Sequence, residues 1–212
     1  MRTTWRWPRD HDEGDLIVSE MDEVIPALVA AVQEQHATGD HYRDDAIRQA
    51  MEHQAQLALR PGPVRVDVIV DPPWSDGQIN SVQVVTGDRP FLVDTVVSCL
   101  LRHGWRVEDV RHPIIGVKRD RGTIEAVGTP GRGGCASESW IHIDVTAPLG
   151  TDIGQAAEQL RDDLCACLDQ VVCATDDWGA MHEAMLRTAE LVSASSGPVS
   201  YTHLRAHETD SY

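Results

Sequence analysis

One kind of cation is nearly missing from this chain: of its 18 basic residues, Lys118 is the single lysine and all the others are arginine. That preference matches GC-rich codon usage and points to a high-GC bacterium. Positive charge is scarce altogether. Against 34 acidic residues the formal net charge is −16, with a pI near 4.8. A phosphate backbone or an anionic membrane surface demands a basic patch, so no nucleic-acid and no membrane partner is expected, and the acidity itself serves solubility. Cysteine is too sparse and too irregular for a framework. Cys99, Cys135, Cys165, Cys167 and Cys173 are an odd number with no C-x-x-C pair, which implies neither disulfide staples nor a zinc site. They read as packing residues in a reducing cytoplasm. Long apolar runs are missing too. Residues 1–8 lack the apolar core of a signal peptide, and no stretch approaches the roughly 18 apolar residues that span a bilayer. A cytoplasmic location is expected. There is no H-E-x-x-H, no G-x-S-x-G, and no G-x-G-x-x-G after a strand, so nothing in the chain is expected to hold a dinucleotide.

What is present is organised around residues 82–103, V-Q-V-V-T-G-D-R-P-F-L-V-D-T-V-V-S-C-L-L-R-H, followed by Gly104. The stretch begins as a strand, turns at Gly87 and Asp88, and becomes a helix with Leu92, Val93, Val96, Val97 and Leu100 at three- and four-residue spacing. Pro90 suits the first helical turn, and Gly104 suits the left-handed position past the end. A strand that feeds a helix through a short polar turn leaves free N–H groups at the helix start, a favourable place for a small anion.

Ahead of this lie two helical patterns. The first, over 16–36, carries Met21, Val24, Ile25, Leu28 and Val32 on one face, with Ser19 as N-cap, Gly39 as stop, and either a kink or a true start at Pro26. The second, over about 42–59, follows Ile47, Ala50, Met51, Gln54 and Ala58 and ends at Pro61-Gly62. From Val64 the period becomes 2: Val64, Val66, Val68 and Val70 define a strand. After the central helix, 105–118 is extended, and Pro113 places it towards a sheet edge or marks a bulge. Asp120-Arg121-Gly122 is a hairpin turn returning through 123–127. The glycine-rich stretch 128–136 neither opens a helix nor ends in Lys-Ser/Thr, and reads as a loop. In 139–145, Ile141, Ile143 and Val145 point inward, and Trp140, His142 and Asp144 outward. Asp152 with Gln155 makes a capping box for a helix carrying Ile153, Ala156, Leu160, Leu164, Leu168 and Val171. A last helix, about 176–192, shows a stripe of Trp178, Met181, Met185, Ala189 and Val192 expected to dock on the core.

From residue 79 the order is strand, helix, strand, strand, helix, the ferredoxin-like order without its last strand, whose edge 64–70 fills from the other end of the sequence. The fold class is therefore α+β: an antiparallel sheet with two helices on one face, preceded by a helical hairpin and followed by a helix. The divisions are 1–60, 61–174, 175–196 and 197–212. Asp88 and Asp94 flank the helix start, where carboxylates oppose the macrodipole or cap it. Arg89 can instead meet a ligand carboxylate bidentately. Phe91, the only phenylalanine, reads as a core anchor, and His112-Pro113 as a bend. His142 and Asp144 share a strand face and can orient one another, with solvation as the plainer reading.

Taken together, D-R-P-F-L-V-D at 88–94, R-H-G at 102–104, H-P-I-I-G-V-K-R-D at 112–120 and E-S-W-I-H-I-D at 138–144 form an ordered series that resembles the N-terminal region of the large bacterial NAD-dependent glutamate dehydrogenases. The likeness runs over about 46–191. It implies ACT-like domains, which are amino-acid-sensing and oligomerising modules. In such an enzyme L-glutamate is oxidatively deaminated to 2-oxoglutarate and ammonia with NAD as hydride acceptor. The resemblance places the catalytic and NAD-binding residues in a segment outside this chain, so it implies a regulatory or assembly role, no cofactor in this piece, and no catalytic residue. It makes Gly87, Asp88, Arg89, Pro90, Phe91 and Asp94 the candidate ligand site, and His112, Pro113, Glu138, Ser139 and His142 the motif residues. The implied partners are the rest of the dehydrogenase chain, an amino-acid effector, and further copies in a homo-oligomer. A stand-alone amino-acid sensor or a self-association module joined at the 64–70 edge are the alternatives. Residues 198–212 resemble a translated sequencing-adapter tail and make the chain a truncated fragment.

Overall fold

The protein is described by a computed structural model over residues 16–17, 21–35, 44–75, 77 and 79–194. It divides into two compact units, Met1–Val172 and Cys173–Tyr212. In chain order the elements are β1 Leu16–Ile17, α1 Met21–Gln35, α2 Asp44–Ala58, β2 Val64–Ile69, β3 Asn80–Gly87, α3 Leu92–Arg102, β4 Arg106–Arg111, β5 Ile114–Asp120, β6 Thr123–Gly128, β7 Ala136–Thr146, α4 Ile153–Asp176 and α5 Trp178–Ala194.

All strand pairs are antiparallel, in the order β1-β6-β5-β7-β3-β2, with β4 also on β7. β4 and β5 are two pieces of one extended path beside β7. His112 and Pro113 interrupt it, because proline has no N–H for the ladder, yet the Pro113 carbonyl still accepts from the Trp140 N–H at 3.0 Å. The break is a bulge-like interruption between β4, which among the described residues pairs with β7 alone and so lies at an edge, and β5, which lies between β6 and β7. β7 at the centre, β3 and the β4/β5 path beside it, and β2 outside β3 give the ferredoxin-like order, with β6 a further strand outside β5 that the element count leaves out, and the fold class is α+β with an ACT-like sheet.

Two cores form, one on each face. Val66, Val82, Val84, Ile141, Ile143 and Val145 meet Leu92, Val96, Cys99 and Leu100 of α3 and Leu160, Leu164 and Leu168 of α4. On the other face Val85, Ile115, Val117, Ile124, Val127 and Trp140 meet Val24, Leu28 and Val32 of α1 and Met51, Ala55 and Ala58 of α2. Burying each large apolar side chain contributes about 1.5–3 kcal/mol. The two fold helices share one face as expected, and the hairpin that precedes them covers the opposite one. This corrects the outward reading of Trp140, His142 and Asp144. Their exposures are 0, 5 and 2%, because a strand roofed on both faces has no solvated side.

Some local expectations change and others hold. Leu16 and Ile17, expected in the first helix, pair with Val127 and Ala126 of β6. Pro26 lies inside α1, which begins at Met21. Ser19 and Gly39 lie outside the described residues. Asp152 caps α4, its Oδ1 accepting from the Gln155 N–H at 3.0 Å. Stretch 128–136 is a loop closed by its own bonds, Gly131 N–H to Cys135 O and Cys135 N–H to Arg132 O. In the second unit, Met181, Met185 and Val192 of the α5 stripe expected to be buried are exposed.

Candidate functional site

β3 delivers the chain to α3 through a turn of unusual backbone. Phe91 stands at the N-cap position with φ 72° and ψ 7°, and no side chain caps the helix. A left-handed non-glycine residue costs on the order of 1–3 kcal/mol, and the uncapped N–H groups of the first turn remain donors. Phe91 is 60% exposed, whereas Leu92 is 2% exposed. The core-anchor reading of Phe91 is therefore corrected: position 91 precedes the helix, and the buried stripe starts at Leu92. Pro90 comes before the N-cap, not within the first turn. Asp94 is in that turn and opposes the macrodipole as expected.

Asp88 does not cap α3. Its N–H extends the β3–β7 ladder to the Ser137 carbonyl at 2.8 Å, and its Oδ1 accepts from the Ser139 hydroxyl at 2.6 Å. Ser139, fully buried, also lies 3.0 Å from His112 Nε2. Because its one proton goes to a carboxylate, the serine oxygen accepts from His112, whose proton is on Nε2. Partial burial lowers the His112 pKa against the opposing pull of Asp88. Serine here lies between acid and imidazole, and the imidazole donates to it. Ser139 is fully buried, so this arrangement ties β7 to the turn before α3 and to His112 and offers a substrate no approach to the hydroxyl.

Arg89 reaches across to α4. Its Nη1 donates to the Val172 carbonyl at 3.2 Å and its Nε to the Gly87 carbonyl at 3.4 Å. Glu138 takes a two-pronged pair from Arg119, Nε to Oε1 at 2.6 Å and Nη2 to Oε2 at 3.0 Å. The same Arg119 donates to the Ala58 carbonyl at the end of α2 at 3.0 Å. Arg65 adds a bond from Nε to the Arg60 carbonyl at 2.6 Å, and burial together with the Arg119 charge lowers its pKa. α2 has no basic residue in its own last turn; two strand arginines supply that charge to its C-terminal end.

The turn residues Gly87 to Phe91 and the motif residues thus fall into joined groups. Asp88, His112 and Ser139 form one, and Glu138 with Arg119 a second. His142 belongs to a third, buried with Asp144 beneath α2 alongside Gln83, Ser81 and Arg111. In the R-H-G block, Arg102 donates to Cys167 Sγ at 3.3 Å, His103 Nε2 lies 2.8 Å from Asp163 Oδ2, and Gly104 takes φ 74° past the helix end. Sequence reasoning passed over Arg119, Gln83, Arg111 and Ser81. The signal for them was the pair of amphipathic helices before the sheet, which need a face to cover and so bury its polar alternates. Among the described residues no group of three or more His, Cys, Asp or Glu is placed to hold a metal, and no helix is long and apolar enough to cross a membrane.

Comparison with known families gives a match over residues 28–164 to the model described as glutamate dehydrogenase, ACT1 domain.

Proposed function

The chain belongs to the glutamate dehydrogenase ACT1-domain family, and we propose that it serves as a regulatory and assembly module of a large NAD-dependent glutamate dehydrogenase, not as a catalyst. The observation that carries this reading is how the motif blocks are used. Asp88, Ser139 and His112 bond to one another, and Glu138 bonds to Arg119. These blocks hold β7 to the α3 turn and to α2, and the hydroxyl that lies among them, that of Ser139, is fully buried. In this reading, oxidative deamination of L-glutamate to 2-oxoglutarate and ammonia belongs to other segments of a bacterial, cytoplasmic enzyme. NAD is the cofactor of that parent and not of this module. The module's partners are the rest of the dehydrogenase and further copies in a homo-oligomer.

The strained Phe91 and the uncapped start of α3 favour a carboxylate-bearing effector, an amino acid, at Gly87 to Phe91 beside Asp94. An effector that moves this turn acts on β7 through Asp88 and Ser139 and on α4 through Arg89, which gives a site two physical routes outward. Calorimetry of the chain with aspartate, glutamate, arginine and the branched-chain amino acids tests the sensing half. Sedimentation tests the assembly half, for which β2 at the end of the strand order offers an edge. Saturable heat supports sensing, and self-association supports assembly. A chain that stays monomeric at high concentration and gives no heat contradicts the proposal.

A further inference from the structure

The polar layer beneath α2 has one consistent arrangement of donors and acceptors. Gln83 Nε2 lies 2.9 Å from the Ala50 carbonyl of α2 and 3.1 Å from His142 Nδ1. An amide nitrogen only donates, so Nδ1 is an acceptor and the ring proton of His142 is on Nε2, 3.1 Å from Asp144 Oδ1. Gln83 Oε1 in turn accepts from His53 Nδ1 of α2 at 2.8 Å. Ser81 Oγ, at 3.4 Å, and Arg111 also donate to Asp144. The opposite amide orientation would set Oε1 against the Ala50 carbonyl, two acceptors face to face.

A second proton on His142 has no place in this arrangement. With Gln83 as it stands, Nδ1–H meets Nε2–H, two donors. With the amide reversed, Nδ1–H gains an acceptor but Oε1 meets the Ala50 carbonyl. The connection from β7 through Gln83 to α2 is severed at one end or the other. The charges around His142 are Asp144 on its own strand, Arg111 and Asp109 on β4, and, beyond Gln83, His53 of α2 with Asp67 of β2 at 3.8 Å. Burial is the largest influence and lowers the His142 pKa, with Arg111 adding to it and Asp144 and Asp109 opposing it.

We propose that His142 is a proton-operated latch for the α1–α2 hairpin: with one ring proton it joins β7 through Gln83 to α2, and with two it loosens the hairpin. The hairpin's apolar core and the bonds from Gln54 to the Val84 and Ile141 carbonyls still hold it on the sheet. The core of α3 and α4 lies on the opposite face, so it has no part in the loosening. Hydrogen exchange on the intact chain, corrected for intrinsic rates between about pH 7.5 and about pH 5, tests this. The expected result is that amides of α1 and α2 lose protection by about tenfold more than amides of β3 and β7. His142→Asn, whose amide supplies an acceptor and a donor but does not titrate, is expected to remove the difference. Loss of protection in step on both faces, or an unchanged pH dependence in His142→Asn, would overturn the latch. In the unmodified chain the imidazole NMR titration of His142 is expected to share its midpoint with the loss of hairpin protection, and midpoints more than about one pH unit apart would overturn it as well.

Discussion

The hydroxyl of Ser139 donates to the carboxylate of Asp88 at 2.6 Å, which fastens the middle of β7 to the turn that opens α3. Ser139→Ala removes the proton that Asp88 accepts and the oxygen that His112 faces. Both lose a partner beside a fully buried position, and the expected loss of stability is about 1–3 kcal/mol by urea unfolding. A change within a few tenths of a kcal/mol would mean that water replaces the hydroxyl without cost.

Glu138 and Arg119 predict a larger effect. Their side chains are 9 and 15% exposed and pair at two points. Glu138→Ala leaves two guanidinium groups, Arg119 and Arg65, beside the end of α2 without their carboxylate, and is expected to cost about 3–5 kcal/mol. The double variant Glu138→Ala with Arg119→Ala is expected to recover part of that loss, because the stranded charge at Arg119 goes with it. Additive losses in a double-mutant cycle would deny the coupling.

Gly116 predicts a steric effect with no polar component. A Cβ there would overlap the Gly128 carbonyl oxygen and lie 2.5 Å from the Thr129 carbonyl carbon, both backbone atoms of the adjoining segment. Gly116→Ala is expected to destabilise by about 1–3 kcal/mol through forced backbone movement. A Tm equal to that of the parent would show that β6 yields freely.

Acid is expected to destabilise the fold through two histidines. The pKa values of His112 and His142 are lowered from the ordinary 6.5, burial being the first cause for each. Below 6.5 the unfolded chain therefore binds protons that the folded chain does not. Stability from this source is complete above that pH and falls as pH drops towards the folded values. Urea midpoints measured between about pH 7.5 and about pH 5 are expected to fall on the acid side. A flat profile would contradict the burial of both rings.

The alternation of Val82, Val84, Ile141 and Ile143 and the stripe of Leu92, Val96 and Leu100 made the sheet and its α3–α4 face legible in the sequence, because period and burial coincide there. The second face was not legible. Trp140, His142 and Asp144 have the composition of an outward face, and only the covering hairpin shows them to be interior. Of the candidate site, the ordered motif blocks marked residues that the structure joins in polar groups, but not what each one touches. Asp88 looked like a helix cap and bonds instead to Ser139, fifty-one positions later in the chain. Phe91 looked like a core residue because apolar character alone does not reveal a left-handed backbone.

This chain carries a glutamate dehydrogenase ACT1 domain, and the role proposed for it is regulatory, without turnover of its own. The most direct measurement is NADH formation when the purified chain is supplied with L-glutamate and NAD. The expected rate is no different from that of heat-denatured protein. Glutamate-dependent turnover that rises in proportion to the concentration of the folded chain would contradict it.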